Sequence, residues 1–240
     1  MDRNHNMKYK KSLIIVVSIM LILLGTAFGV LVYRHYHSFK YSKSLDEILV
    51  TISDNNITLR EMSYYVIKVE NEGNEAALIY DSKNPTSYWA CYMNDEFKRS
   101  GFVTELAKLS AMDCCIRDNI YYQEALKANY RLSEEEISDI KYSGEEEYNH
   151  MTKRQKDTCG LNPELVGDIK VKEETAHSYI RYLSGLYDED EIIDNAKVIG
   201  NVSSLYDIGG EYYESLKESY NVQINQELWD KVRIGFVTIN

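Results

Sequence analysis

Residues 125–137 read ALKANYRLSEEEI, and this corner decides the architecture. An apolar periodic run stops at Asn129, a residue type that tolerates the left-handed backbone found at helix C-termini. Ser133 then opens a new segment, with Glu136 three residues on. That spacing makes a capping box, in which the serine hydroxyl and the glutamate carboxylate each take a backbone N–H that the helix start leaves unpaired. Two helices therefore meet across a short turn.

Working outward, the helix before the corner is expected over about 102–128, with Val103, Leu106, Leu109, Cys114, Ile116, Ile120, Tyr121 and Ala125 on a broad apolar face. The helix after it runs from Glu134 to about Met151. Upstream, Thr58 and Glu61 form a second capping box, and Met62, Tyr65, Val66 and Val69 recur at helical spacing up to a breaker near Gly73. A short helix is expected over 75–80, ending before Asn84-Pro85. Before Thr58, ILVTI at 48–52 reads as a strand, closed by the turn signal Asp54-Asn55-Asn56 and followed at once by helix.

Downstream, residues 173–186 are helical in pattern, 188–191 and the Gly-Asn near 200 read as loop, and 203–219 as helix interrupted at Gly209-Gly210. VQI at 222–224 and RIGFVTI at 233–239 read as strands, with Asn225 capping QELWDKV between them. A lone short strand leaves backbone groups unpaired, so residues 48–52 are expected to pair with 222–224 or with 236–239.

With 240 residues, 44% hydrophobic and two prolines, the chain can bury a core and reads as mainly α. Residues 12–33 carry no charge, and 22 residues at about 1.5 Å each give roughly 33 Å, enough to cross a bilayer core. The reading is a transmembrane anchor; a cleaved signal peptide, with an apolar region ending at Leu24 and small residues Gly25, Thr26 and Ala27 after it, is the rival. Arg3, Lys8, Lys10 and Lys11 against Asp2 place residues 1–11 in the cytoplasm as a leader and the chain after Tyr33 outside, with 34–46 as a juxtamembrane stalk. The expected localisation is a single-pass cell-membrane protein with an extracytoplasmic C-terminal part.

From residue 34 onward 23 basic and 37 acidic residues remain, a net −14, which excludes nucleic acid as the expected partner. Cys91, Cys114, Cys115 and Cys159 fit no zinc spacing. A bridge from Cys91 to Cys114 or Cys115, and buried free thiols, are both open readings.

The phrases ITLRE at 57–61, EA at 124–125, LSEEE at 132–136 and YNVQIN at 220–225 with Trp229 occur in an order similar to that of the SurA and PrsA foldase N-terminal chaperone domain. The resemblance covers most of 46–151 and 215–232, with Asn129 where the family often has glycine. It implies a SurA-N-like helical domain over 47–240, behind the membrane helix, with a few short strands formed by the two ends of the ectodomain. It also implies unfolded or secreted polypeptides as partners, beside the lipid bilayer around 12–33. In such foldases an isomerase domain is inserted between the two arms. Residues 160–203 number 44, short of the roughly 50 that a domain needs, and read as a short linker in place of that insertion.

Parvulin-type isomerase sites carry histidines, but His150 and His177 are single residues in helical patterns and read as structural. GxSxG, a phosphate loop and HExxH are absent. The acidic runs 134–136, 145–147 and 188–191 lack calcium-loop spacing and read as solvated faces. No enzyme activity, cofactor or metal is expected.

The distinctive residue is tyrosine, 21 in all, paired as Tyr64-Tyr65, Tyr121-Tyr122 and Tyr212-Tyr213 and joined by Tyr88-Trp89. Helical neighbours point about 100° apart, so one ring of each pair can enter the core while the other lines a groove. Tyr64, Tyr65, Tyr88, Trp89, Tyr121 and Tyr122 are the candidate polypeptide-binding residues. The expected function is a chaperone-like holder of unfolded chains. The alternative is a structural or signalling ectodomain of the same fold with one dedicated envelope or secretion partner.

Overall fold

A computed structural model describes residues 39–95, 98–186 and 210–238, together with Met20, Leu24 and Thr26. The chain divides into two units, residues 1–40 and 41–240. Every element with defined bounds lies in the second: β1 (Ile48–Ile52), β2 (Asn55–Thr58), α1 (Leu59–Tyr80), β3 (Tyr92–Asn94), β4 (Ser100–Phe102), α2 (Val103–Lys127), α3 (Glu134–His150), α4 (Lys153–Cys159), α5 (Pro163–Leu186), α6 (Glu211–Glu218), β5 (Val222–Ile224) and α7 (Gln226–Lys231). Short 3-10 turns occupy Tyr41–Lys43 and Pro85–Ala90.

β1 lies between β2 and β5, antiparallel to both. Of the two C-terminal segments able to partner it, Val222–Ile224 does so, and Ser53 N–H to Asn221 O (2.9 Å) and Asn225 N–H to Leu49 O (2.8 Å) extend the ladder. Leu49, Val50 and Ile52 are buried, as a central strand requires. The turn differs from the expected one. It is Ser53-Asp54, with Ser53 at φ 54°, and Asn55 and Asn56 belong to β2. Asn55 donates to Asn119 of the helix that follows β4 (3.2 Å) and Asn56 accepts from Thr51 on the paired strand (2.9 Å), so helix and strand partners outweigh their turn preference.

Thr58 caps α1 as its capping box predicts, the Glu61 N–H reaching Thr58 Oγ1 (3.3 Å) and the Thr58 N–H reaching Glu61 Oε2 (3.2 Å). The helix then runs straight through Gly73 to Tyr80. Glycine inside a helix costs about 1 kcal/mol relative to alanine, and here the missing Cβ makes room for Trp89, whose Cζ2 would lie 2.7 Å from it.

At the corner, α2 ends as read: Asn129 has φ 55°, Tyr130 N–H returns to Ala125 O (2.8 Å), and Ser133 and Glu136 form their capping box. Thr58→Ala and Ser133→Ala are each expected to lower stability by about 0.5–2 kcal/mol, read in urea denaturation. Unchanged midpoints would show that the caps do not support their helices.

α5 packs along α3 and α2, and α2 packs on α1. It begins ten residues before the expected helical pattern because Asn162 Oδ1 accepts the Leu165 N–H (2.8 Å) ahead of Pro163, and proline suits a first turn. Part of the span read as a linker, 163–186, is thus a helix at the centre of the packing. A core cluster of Tyr121 and Ala125 on α2, Ala176, Tyr179 and Ile180 on α5 and Tyr213 on α6 joins the late part of the chain to it.

The expected strand over 233–239 is not formed among the described residues. Instead the segment turns around Glu70 of α1, fully buried, whose carboxylate accepts the N–H groups of Gly235 (2.7 Å), Val237 (3.1 Å) and Thr238 (2.9 Å) and the Thr238 hydroxyl. A buried anion supplies the partner that a neighbouring strand would have supplied. Gly235, at φ 84°, presses on the Trp89 ring, where a Cβ would lie 2.8 Å from Cδ2. Trp89 is thereby enclosed between Gly73 and Gly235.

The fold class read from the sequence, a transmembrane helix followed by a SurA-N-like domain with strands from its two ends, needs correction. The described chain is mainly helical with short strands, but among the described residues no helix is long and apolar enough to cross a membrane. The longest, α2, carries Glu105, Lys108, Asp113, Arg117, Asp118, Glu124 and Lys127, charges that a bilayer core would not accept. Residues 12–33, on which the anchor was expected, lie outside the described residues apart from Met20, Leu24 and Thr26. The strands also exceed the two ends: β3 and β4 form a separate antiparallel pair in mid-chain.

Candidate functional site

The six aromatic residues singled out from the sequence do not share one surface. Tyr64, Tyr65, Trp89 and Tyr121 are buried, and Tyr88 and Tyr122 are half-buried. One ring in and one further out describes Tyr88-Trp89, Tyr121-Tyr122 and Tyr212-Tyr213. It does not describe Tyr64-Tyr65, because α1 is covered on two sides: Tyr64 donates to Glu173 of α5 (2.9 Å), while Tyr65 lies near Asp118 and Cys115 of α2. Tyr121 stacks on Tyr213 with centroids 6.2 Å apart.

The exposed apolar surface lies elsewhere. Leu78, Ile79 and Tyr80 close α1 with Ile79 88% exposed, and Tyr80 meets Tyr88 at 5.7 Å between centroids. Across the β3–β4 pair Tyr92 (67% exposed) and Phe102 stand edge-to-face at 5.5 Å. A cavity of about 300 Å³ is lined by Val69, Ala76, Tyr88, Trp89, Met93 and Leu106 among others, so that Tyr88 and Met93 adjoin both exposed groups. At its rim Arg99 is fixed by Asp95 (2.6 Å) and Asp113 (2.5 Å). No local pattern marked the run at 78–80 for exposure, since Tyr64, Tyr65, Val66 and Ile67 are a like run on the same helix and all are buried. Tyr92 and Phe102 were unmarked too, because the hairpin that pairs them was not legible.

A second group is polar. Lys68 and Tyr64 of α1, Arg117 and Asp118 of α2, and Glu173 and His177 of α5 meet where the three helices join. Glu173 takes the Lys68 ammonium (2.5 Å) and the Tyr64 hydroxyl (2.9 Å), and Asp118 takes Arg117 (3.3 Å) and His177 Nε2 (3.4 Å). Burial raises the Tyr64 hydroxyl far above its usual range, and Glu173 adds to this. Burial disfavours the Lys68 ammonium, but Glu173 more than compensates and moves it up. The hydrogen bond to Asp118 raises His177 against the opposing effect of burial.

Asp118, Glu173 and His177 bring potential ligand atoms within 4.8 Å of one another. Both carboxylates, however, are already matched by Lys68 and Arg117. A divalent cation would place two further positive charges against that pair, so the arrangement reads as a buried ion-pair network joining three helices. His177, expected to be a satisfied structural histidine, is hydrogen-bonded within it.

All four cysteines are free thiols. Burial raises Cys114 and Cys115 and pushes Cys159 up to about 12, the reverse of the shift that activates a nucleophile. Compared with known proteins, the chain matches no family model, no curated protein and no solved structure.

Proposed function

We propose that the folded unit is a non-catalytic polypeptide-binding module that holds extended or unfolded chains, secreted ones among them. The observation that supports this reading is an exposed apolar strip in two parts: Leu78, Ile79 and Tyr80 at the end of α1, where Tyr80 meets Tyr88 of the cavity lining, and the Tyr92–Phe102 pair on the β3–β4 hairpin, whose Met93 also lines that cavity. Exposed apolar surface gathered in one place marks an interaction site in a way that scattered residues do not. The strip flanks a two-stranded hairpin whose outer edges pair with no other strand among the described residues, so an extended chain can add backbone hydrogen bonds while its side chains enter the groove. The order of the SurA-type phrases is consistent with the same role.

Binding of this kind is weak and driven by apolar burial, so salt changes it little, while the net charge of −11 disfavours acidic clients. The test uses the full chain with a chemically unfolded, unrelated protein. Delay of its aggregation is expected, together with unchanged proline isomerisation rates in a peptide assay. The double variant Ile79→Asp, Tyr92→Ser is expected to abolish most of the delay while stability stays within about 1 kcal/mol, since surface changes usually cost about 0.5 kcal/mol or less each. If the wild-type chain neither delays aggregation nor binds unfolded protein at micromolar concentration, the reading fails.

A further inference from the structure

Arg117, His177, Arg181 and Ser184, with Ile180, line a cavity of about 300 Å³ between α2 and α5. It contains none of the residues of the apolar strip. We propose that this cavity binds a small oxyanion, a phosphate or carboxylate group.

The charge balance supports this. Around the cavity, Glu173 is matched by Lys68, and Asp118 is shared by Arg117 and His177. Among the described residues Arg181 meets only a hydroxyl, that of Ser178 at 2.8 Å, so its charge is in excess there, and protonation of His177 adds a second. Such a local excess stands out in a chain of net charge −11.

The donors point the same way. Arg117 commits Nε and Nη2 to Asp118, leaving Nη1 without a partner among the described residues. Arg181 uses only Nη2, and His177 only Nε2, so that Arg181 Nε and Nη1 and His177 Nδ1 remain. Guanidinium and imidazolium side chains lining one cavity are a usual recognition set for phosphate and carboxylate oxygens. Asp118 holds Arg117 and His177 in place from behind. The volume is at the lower end of small-molecule pockets, which fits an anion with a small substituent.

His177 makes the site pH-sensitive. A neutral imidazole donating from Nε2 to Asp118 keeps a bare lone pair at Nδ1, whereas the imidazolium carries an N–H at that nitrogen. The charged and titratable groups around it are Lys68 and Tyr64 from α1, Arg117 and Asp118 from α2, and Glu173 and Arg181 from α5. Anion binding therefore tightens as pH falls through the His177 midpoint, and by linkage a bound anion raises that midpoint.

The experiment follows the His177 ring resonances of the full chain by NMR across pH 5–9, in sodium chloride, sodium phosphate and sodium acetate at equal ionic strength, with His177→Gln assigning the signal. A saturable upward shift of the midpoint in phosphate or in acetate is expected, and the tighter of the two identifies the group. Arg181→Gln, at an exposed position, is expected to weaken the shift about tenfold without changing the melting temperature. Midpoints equal in all three salts, or a shift that Arg181→Gln leaves intact, would overturn the proposal.

Discussion

Replacing Glu70 with alanine is expected to free the C-terminal segment and to lower the free energy of unfolding by about 3–5 kcal/mol, since each buried donor left without an acceptor costs about 1–3 kcal/mol and release of the segment lets some of them reach water. The carboxylate is fully buried and takes three backbone N–H groups and a hydroxyl, from Gly235, Val237 and Thr238. Alanine leaves these donors buried without an acceptor. Glu70→Gln keeps one acceptor oxygen but turns an NH₂ toward the remaining donors, so an intermediate loss is expected. Urea denaturation measures the cost, and amide exchange at residues 235, 237 and 238 shows whether the segment is released. Unchanged protection of those amides in Glu70→Ala would mean that the segment is held by something other than this carboxylate.

Trp89→Ala is expected to cost an amount of similar size, about 3–5 kcal/mol, because it empties the slot between Gly73 and Gly235, neither of which has a side chain to fill it. Trp89 was a candidate binding residue by its sequence, and its burial changes what a mutation reports. Trp89 also lines the cavity between α1 and α2, so Trp89→Ala is expected to lose some polypeptide holding beyond its loss of folded fraction. The loss in Ile79→Asp, Tyr92→Ser should persist when variants are compared at equal folded fraction. A Trp89→Ala protein as stable as wild type would show that the slot between Gly73 and Gly235 does not depend on the indole.

The features legible in the sequence were those decided by near neighbours. The end of α2 at Asn129 and the capping boxes at Thr58 and Ser133 each depend on residues at most five apart, and backbone sterics and short hydrogen bonds fix them before any tertiary contact forms. The pairing of β1 with the chain's far end was legible in outline too, since only the two ends carried clear strand patterns, but the choice of Val222–Ile224 over the last residues was not. That choice depended on Glu70, which lies 165 residues or more from the amides it binds and reads in sequence as one more charge on a helix.

The same distance hid the candidate sites. Tyr64 and Glu173 are 109 residues apart, Lys68 and Glu173 105, and no local pattern marks either pair. Paired aromatics could be counted along the chain, but which of them are covered depended on α5 lying against α2 and α3, and the outward rings at 92 and 102 depended on a hairpin of two three-residue strands. The sequence by itself determined the capped starts of α1 and α3 and the end of α2, because those signals are short-range, while the early start of α5 and the passage of α1 through Gly73 were not read from it. Only the tertiary structure decided which side chains are buried and which charges are matched, because burial and desolvation are properties of surfaces brought together from distant parts of the chain.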